Sequence, residues 1–171
     1  RGKAMDDTTG NVDISTFTAD NLMKLKKNLG EYGLDIPNLV WVASVSAWNQ
    51  MLLLRDAKDN IMVTTVDKYG PQATVLTGEM GKFLGIPVIP SAKMREDLNA
   101  SGVYDGTTKT KTGILLTWLP AWAFGDKQEV ALEVQRFSAA QNTDLVLTGR
   151  FDFKHALGTN VTTVMGYNLA S

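Results

Sequence analysis

Histidine is the side chain most often used for proton transfer near neutral pH, and this chain has a single one, His155. A catalytic triad, a histidine acid–base pair or a multi-histidine metal site would therefore depend on this residue alone. His155 follows a long alternating segment, and no GxSxG pattern of a nucleophile elbow accompanies it. We interpret it as an ordinary residue at a strand end or turn.

Three carboxylates in the C-terminal half offer another route to acid–base chemistry. Asp126, Glu129 and Glu133 could act as a glycosidase-type pair, in which two carboxyl groups flank one bond. Glu129 and Glu133 lie on one predicted strand, and at their separation they diverge too far to share a substrate without a partner strand. A solvated strand face explains them better, and a mixed α+β enzyme using surface carboxylates is kept as an alternative.

Signatures of metal and nucleotide sites are weak or missing. Asp56, Asp59 and Asn60 lack the spacing, the glycine and the closing glutamate of a calcium loop. The segment GEMGKFLG does not match GxGxxG after a strand, and no GxxxxGK[ST] phosphate cradle occurs. Because the chain has no cysteine, disulfides, zinc knuckles and thiol catalysis are excluded together. We predict no catalytic residue, no metal site and no cofactor.

The longest polar and least periodic stretch is residues 92–113, which we predict to be a projecting loop. Its cations and acids are Lys93, Arg95, Lys109, Lys111, Glu96, Asp97 and Asp105. The formal charge is 4 − 3 = +1, which suits a solvated loop. The candidate contacts with neighbouring subunits or with a polyanion are Lys93, Arg95, Tyr104, Lys109 and Lys111.

Composition sets the class of protein that must position these residues. The chain has 171 residues, enough for one compact domain or two lobes of one. With 17 Lys and Arg against 18 Asp and Glu, a dedicated nucleic-acid binder is disfavoured. The longest apolar stretch, residues 114–125, is too short to span a membrane and contains Pro120. The chain begins with Arg1 and lacks a signal-peptide pattern, so we expect a fragment of a longer chain.

The N-terminal part reads as a helix and then a strand that leads into a second helix. Residues 1–13 are small and polar, and we predict them to be loose. Thr18 can cap a helix whose leucines recur at helical spacing, and Gly30 ends it. The segment NLVWVAS predicts a buried strand, and Ser44 can cap the helix that follows.

The rest of the chain is rich in strand signals. IMVTTVD predicts a strand, and KFLGIPVIPS predicts a short one at an edge or end of a sheet, because it carries Pro87 and Pro90. EVALEVQRF and DLVLTGRFDFK both alternate between apolar and polar residues, and VTTVMGYN forms a last strand. The second of these places Leu145, Leu147, Phe151 and Phe153 on one side. We detect no internal repeat.

Five segments occur in a recognisable order: the helix at 18–29, LVWVASVSAWNQMLLLRDAKDN, FLGIPVIPSAKM, AWAFGDKQEVALEV and TGRFDF. Together they resemble the major capsid proteins of tailed phages and prophages, whose fold is named after phage HK-ninety-seven. In that family a tryptophan-bearing strand opens a helix that ends near a Lys/Arg-Asp pair, as with Trp41 and Arg55-Asp56 here. A Gly-x-Pro-Val strand with a following small residue and methionine is matched by Gly85, Pro87, Val88, Ser91 and Met94. A Phe-Gly-Asp turn is matched by Phe124, Gly125 and Asp126.

The resemblance covers the chain from Phe17 to Leu169. The N-terminal arm and the extended hairpin loop, which family members place upstream, are absent from this sequence. This agrees with the interpretation of Arg1 as a cut end. A covalent cross-link between subunits, which some members make, cannot be assigned because one partner residue would lie in the absent part.

The resemblance implies an α+β fold with two domains. A peripheral domain, with a long helix and antiparallel strands, would comprise residues 14–37 and 119–171. An axial domain, with a mixed sheet and flanking helices, would comprise residues 38–118, and its polar loop 92–113 would point to the axis of a capsomer. Residues 1–13 would remain a loose N-terminal segment.

The function implied by the resemblance is that of a major capsid protein, which self-assembles into the pentamers and hexamers of an icosahedral shell around the genome. Its partners would be copies of itself, packaged DNA in non-specific contact, and scaffold, portal and decoration proteins. It would reside in the virion, and in the host cytoplasm during assembly, without a membrane partner. The alternatives are an encapsulin-like nanocompartment shell that holds enzyme cargo and, second, the carboxylate enzyme described above.

Overall fold

The computed structural model describes residues 10–65, 78–137, 141–157 and 161–171. In chain order the elements are β1 (Val12–Asp13), α1 (Ala19–Asn28), β2 (Leu39–Ala43), α2 (Val45–Leu52), β3 (Val63–Thr65), β4 (Gly81–Phe83), β5 (Ile86–Pro90), β6 (Lys111–Trp118), β7 (Trp122–Phe137), β8 (Asn142–His155) and β9 (Thr163–Ala170). Short 3-10 helices lie at Gly30–Leu34, Ile36–Asn38 and Leu119–Ala121. Helices together with a mixed sheet confirm the predicted α+β class. None of the helices in the described ranges is long and apolar enough to cross a bilayer.

Helix α1 forms where the sequence predicts it. The Thr18 hydroxyl accepts a hydrogen bond from the Asn21 N–H at 3.3 Å and so caps the free donors of the first turn. Leu22 and Leu25 are buried on one face, as their spacing predicts. Gly30 follows the helix with a φ of +59°, a left-handed conformation that glycine adopts without strain.

The second helix is positioned by the strand that precedes it. All of β2 is buried or nearly so, because it is an interior strand of the sheet. The Ser44 side chain accepts a hydrogen bond from the Ala47 N–H at 3.1 Å, which confirms the predicted cap of α2. Trp48 and Met51 are buried on the same helix. Helix α2 therefore begins directly after Ser44, the residue that follows β2.

Seven strands form one mixed sheet in the order β1-β9-β6-β2-β5-β4-β3. Strand β2 runs parallel to β5 and antiparallel to β6. The core lies against this sheet, and Trp41 meets Phe83 edge-on with ring centroids 6.2 Å apart. Both side chains are almost completely buried.

The prediction that the strand with two prolines lies at an edge or end of the sheet is wrong, because β5 is an interior strand between β2 and β4. Pro87 precedes Val88, the first residue of β5 that pairs with β2. The Ser91 N–H donates to the Ala43 carbonyl of β2 at 2.8 Å. Because the backbone nitrogens of successive residues point to opposite sides of a strand, the nitrogen of the preceding residue, Pro90, faces away from β2. Neither proline therefore interrupts the ladder with β2.

The outer strands of the sheet are short. Val12 and Asp13 form β1, which is parallel to β9, and Ile14 is completely buried beside it. Residues 12 and 13 of the segment predicted to be loose thus lie in a strand, and residues 1–9 lie outside the described part of the chain. At the other edge, the predicted strand IMVTTVD is observed as β3, and its last two residues lie outside the described part.

The chain divides into two compact units. The first comprises Arg1–Leu119 and Asn160–Ser171 and contains the seven-stranded sheet with both α-helices. The second comprises Pro120–Thr159 and contains β7 and β8, which pair with each other in an antiparallel two-stranded sheet.

This division differs from the predicted grouping of residues 14–37 with 119–171 in one domain. Helix α1 packs on β9, where a Cβ atom added at Gly166 would lie 3.0 Å from the Leu25 Cδ1 atom. Since β9 pairs with β6 in the large sheet, the helix and the last strand belong with that sheet. The assignment of a peripheral and an axial domain stays a prediction.

Candidate interaction surfaces

The polar loop, residues 91–110, connects β5 to β6 and contains no helix or strand of its own. It ends earlier than the predicted range 92–113, because β6 begins at Lys111. Leu98 is buried and forms a bridge with Lys111, in which the N–H of each residue donates to the carbonyl oxygen of the other at 2.8 and 3.0 Å. The loop is therefore attached to the start of β6.

Two further hydrogen bonds hold the base of the polar loop. The Ser46 N–H, in the first turn of α2, donates to the Glu96 carboxylate at 2.8 Å. A carboxylate at this end also suits the positive pole of the helix dipole. The buried Thr112 hydroxyl donates to the Arg95 carbonyl at 2.8 Å. Glu96 is a structural residue that sequence analysis missed, because its partner lies 50 positions away.

Arg95 is engaged within the loop on two sides. Its guanidinium carbon lies 3.7 Å from the centroid of the Tyr104 ring, a cation–π contact. Its Nε and Nη2 atoms donate to the two carboxylate oxygens of Asp97 at 2.9 and 3.2 Å. This hydrogen bond lowers the pKa of Asp97 and raises the pKa of Arg95. Most of the charge of Arg95 is thus matched locally, which reduces its attraction for a polyanion.

The tip of the polar loop is organised by two side chains that bond to nearby backbone. Asp105 accepts hydrogen bonds from the Thr107 and Thr108 N–H groups at 2.9 and 2.8 Å. Bonds from Thr108 and Thr107 hold the pKa of Asp105 far below its usual range. Asn99 accepts a bond from the Val103 N–H at 3.0 Å. The tip therefore has a defined conformation.

The structure places the five candidate contact residues at different points of this loop. Arg95 and Tyr104 touch, and Lys109 lies close enough to the carboxylate bound by Arg95 to help lower its pKa. Lys93 is exposed near the start of the loop, and Lys111 is partly buried at the first position of β6. Their role as subunit contacts stays a prediction.

The hairpin, formed by β7 and β8, is the other prominent feature. Its strands have 16 and 14 residues and pair from Trp122 opposite His155 to Phe137 opposite Asn142. The register shifts twice, between Asp126 and Gln128 and again before Ala131, and each shift places an extra residue in β7. Strand β8 has no extra residue, so its side chains alternate regularly along its whole length.

One side of the hairpin is apolar and exposed, and we call it the apolar face: Phe124, Leu132, Val134, Leu145, Leu147, Phe151 and Phe153. Phe151 is 75% and Leu147 is 68% exposed. The other side of β8 carries Thr148, Arg150, Asp152 and Lys154. The predicted alternation of this strand is confirmed.

The size of the apolar face is unusual for a protein surface. Its three phenylalanines alone leave roughly 400 Å² exposed, at 150–250 Å² for each aromatic side chain. The largest apolar patch on a typical monomer is about 300–600 Å², and the aliphatic residues add to the area here. Sequence analysis predicted the alternation but missed the exposure. The available signal was the great length of the two amphipathic segments, which follow each other directly along the chain.

The hairpin separates the carboxylates that could have formed an acid–base pair. Asp126 pairs with Phe151 and lies on the apolar face, whereas Glu133 pairs with Val146 and lies on the opposite face. Two groups on opposite faces of one ribbon cannot flank the same bond. The side chain of Glu129 lies outside the described part of the structure.

His155 is the last residue of β8, as the sequence predicts. Its ring meets the Trp122 ring edge-on at a centroid distance of 5.3 Å, and Trp122 in turn stacks on Phe153 at 5.1 Å. His155 therefore packs in an aromatic cluster at the base of the hairpin. Across the described ranges, no three His, Cys, Asp or Glu side chains are grouped so that they could hold a metal ion.

The chain is similar by sequence to a capsid protein and by fold to a capsid structure. No family model matches the chain. The major capsid protein of Escherichia phage T5 is 31% identical over 74 residues, which are 43% of this chain and 15% of that protein. A structure described as the capsid of an empty GTA particle, computed with C5 symmetry, matches with a TM-score of 0.56 and 12% identity. A virus-like particle from Pyrococcus furiosus matches with a TM-score of 0.42 and 11% identity, over 95% of this chain and 58% of that one.

The match to the GTA capsid covers 95% of this chain and 47% of the other. This chain thus spans less than half the length of the GTA subunit, and a smaller share of the T5 protein. The fold is therefore the phage capsid fold that the sequence resemblance implies.

Proposed function

We propose that this chain is part of the major capsid protein of a tailed phage or prophage, and that it assembles with copies of itself into the pentamers and hexamers of an icosahedral shell that encloses the genome. The observation that carries the proposal is the exposed apolar face of the hairpin on a chain with a capsid fold. A structural role of this kind requires no catalytic residues.

The hairpin needs a partner for physical reasons. A two-stranded ribbon is marginally stable in water unless a third strand or another layer packs on it. Phe151 and Phe153 are exposed on the apolar face, so water contacts surface that another molecule can cover. Copies of the same chain supply such a surface repeatedly, and head-to-tail contacts between copies close into rings.

The two compact units support a refined assignment of domains. We assign the first unit, with the seven-stranded sheet, to the axial domain and Pro120–Thr159 to the peripheral domain. The polar loop then points to the capsomer axis, where Lys93, Arg95 and Tyr104 contact neighbouring copies. Its attachment through Glu96 and Leu98 supports this role, because a fixed loop loses little entropy on contact.

The charge of the chain supports only weak contact with nucleic acid. The net charge is −1, and the best-placed cation of the polar loop, Arg95, is paired with Asp97. Contact with packaged DNA is therefore non-specific in this proposal. Scaffold, portal and decoration proteins are the further partners, and the protein resides in the virion, and in the host cytoplasm while the shell assembles.

The test is assembly of the full-length gene product, measured by sedimentation velocity and by electron microscopy. Rings and closed particles are expected, and a strictly monomeric product would reject the proposal. The contents of particles from the native source separate two shells of the same fold. DNA supports a viral capsid, whereas an enzyme cargo without DNA identifies a nanocompartment.

A further inference from the structure

The tip of the polar loop contains the only Asp-Gly sequence of the chain, Asp105-Gly106. Because glycine has no Cβ, the backbone nitrogen of Gly106 is open to close approach by the side chain of the preceding aspartate. Both residues are exposed, so water reaches them. A Cβ atom added at Gly106 would have no other atom within 4 Å. The dipeptide is therefore placed for a backbone reaction that requires space and water.

The reaction open to this dipeptide is the isomerisation of aspartate. The Gly106 nitrogen attacks the carboxyl carbon of Asp105, a C–N bond forms, and the N–H proton leaves with the carboxyl hydroxyl as one molecule of water. The product is a succinimide ring. Water then adds to the former side-chain carbonyl, which restores aspartate, or to the main-chain carbonyl, which gives isoaspartate. Water is the sole co-reactant, and nothing is oxidised or reduced.

The hydrogen bonds of the tip oppose ring closure, because they engage both oxygens of the Asp105 carboxylate. Oδ1 accepts from the N–H groups of Thr107 and Thr108 at 2.9 and 2.8 Å. Oδ2 accepts from the Asn99 side-chain amide at 3.2 Å. Ring closure expels one of these oxygens, so at least part of this set of hydrogen bonds must break first.

The same hydrogen bonds keep Asp105 in the form that does not react. A carboxylate would have to expel an oxide ion, so only the neutral acid can lose its hydroxyl as water. The N–H groups of Thr108 and Thr107, and to a smaller extent the Asn99 amide, lower the pKa of Asp105. The neutral acid is therefore scarcer in the folded loop than in an unfolded chain.

We propose that Asp105-Gly106 is a latent modification site, at which aspartate converts to isoaspartate when the tip opens, and that the Asn99 side chain keeps the tip closed. Asn99 bonds in two directions. Its Oδ1 accepts from the N–H groups of Ser101 and Val103 at 3.0 Å each, while its Nδ2 donates to Asp105. Isoaspartate adds a methylene group to the backbone and moves the carboxylate, so the tip would lose its conformation. The inference goes beyond the proposed function and does not depend on assembly.

The test compares Asn99→Asp with the wild-type chain at neutral pH. The new carboxylate can still accept the two backbone hydrogen bonds, but it cannot donate to Asp105 and places a like charge beside it. Isomerisation at Asp105 should be about tenfold faster, since one hydrogen bond to a charged group changes the neutral fraction by roughly that factor. The matched control is Ser101→Asp, which adds the same charge to the loop but retains the Asn99 amide, and should change the rate little.

The measurement is mass spectrometry of protein incubated in water enriched in heavy oxygen. Trypsin cleaves after Arg95 and Lys109 and so releases the tip as one peptide, residues 96–109. Each succinimide that opens takes up one heavy oxygen, and fragment ions locate this oxygen at residue 105. Chromatography separates the isoaspartyl peptide, and circular dichroism shows whether each variant is folded.

The wild-type chain in urea supplies a second comparison, which decides the matter even if Asn99→Asp does not fold. Isomerisation should be slower in the native state than in urea, where the hydrogen bonds of the tip are lost, and equal rates overturn the inference. In urea, Gly106→Ala should slow the reaction, because the added Cβ hinders the attacking nitrogen, and an unchanged rate also overturns it.

The folded variants decide the role of Asn99. Faster isomerisation in Asn99→Asp alone supports it. An unchanged rate in folded Asn99→Asp overturns it, and so does equal acceleration by Ser101→Asp, because added charge anywhere in the loop would then explain the effect.

Discussion

The apolar face of the hairpin allows a sharp substitution test. Leu147 on this face and Thr148 on the opposite face are neighbours on β8, and both are exposed. Replacing either by lysine adds the same charge to the same strand. Because neither side chain is part of the core, both variants should fold like the wild type. Only Leu147→Lys should block assembly.

The size of the effect follows from the exposure of Leu147. Burying a whole leucine side chain is worth about 1.5–3 kcal/mol, and 68% of this one remains to be covered, so assembly gains about 1–2 kcal/mol from it. A lysine in its place loses that gain and brings an ammonium group into an apolar contact, which costs at least about 1 kcal/mol more. A total of about 2 kcal/mol or more raises the critical concentration of assembly roughly 30-fold.

The assay is light scattering against protein concentration, with electron microscopy of the end product. Circular dichroism and a thermal melt of each dissociated variant show whether the fold is intact. Assembly of Leu147→Lys at the wild-type concentration would refute the argument, as would an equal defect in Thr148→Lys. The second result would mean that added charge, and not the apolar face, controls assembly.

Three smaller predictions concern the first unit. Ser44→Ala removes the cap of α2 and should cost about 1 kcal/mol, seen as a fall in Tm of about 2–4 °C by calorimetry; an unchanged Tm would contradict it. Hydrogen bonds from Asn38 and then Trp118 lower the pKa of Asp35 below 3.8, so the ionised form stabilises the fold at neutral pH and this stabilisation is lost as pH falls through the lowered pKa. In urea titrations, Asp35→Asn should therefore lose less stability than the wild type as the pH falls below about 4, and an equal loss would disprove the link. Trp41→Phe deletes a buried indole N–H that has no partner among the described residues. Removing this unpaired donor should stabilise the fold by about 1–3 kcal/mol and offset much of the cost of the cavity, so the free energy of unfolding should fall by only about 1 kcal/mol. A fall of more than about 3 kcal/mol in urea melts would contradict this.

Local signals explain what could be predicted from the sequence. Thr18 and Ser44 cap helices through bonds to residues only three positions away, so a short window contains both partners. The alternation around Leu147 likewise depends on neighbouring positions of one strand. These elements are confirmed near the predicted boundaries.

Long-range pairing explains what could not be predicted. The interior position of β5 depends on its register with β2, about 47 residues earlier, which leaves no mark in its own sequence. The same holds for Glu96, whose partner on α2 is remote, and for β1, which pairs with the last strand of the chain. The polar loop and its five candidate residues were located from composition, but the contact of Arg95 with Tyr104 required coordinates.

The two long edges of the hairpin differ, and this difference limits how many strands can add to the hairpin. The extra residues in β7 break the even spacing of its outward N–H and C=O groups, whereas β8 keeps that spacing over 14 residues. A strand of another molecule can therefore pair along β8, whereas on β7 the hydrogen-bonding groups are irregularly spaced. Two hairpins joined through β8 would form a four-stranded ribbon with a β7 at either border, and growth would stop there. The irregular spacing of β7 thus disfavours open-ended, amyloid-like polymerisation through the edges of the hairpin.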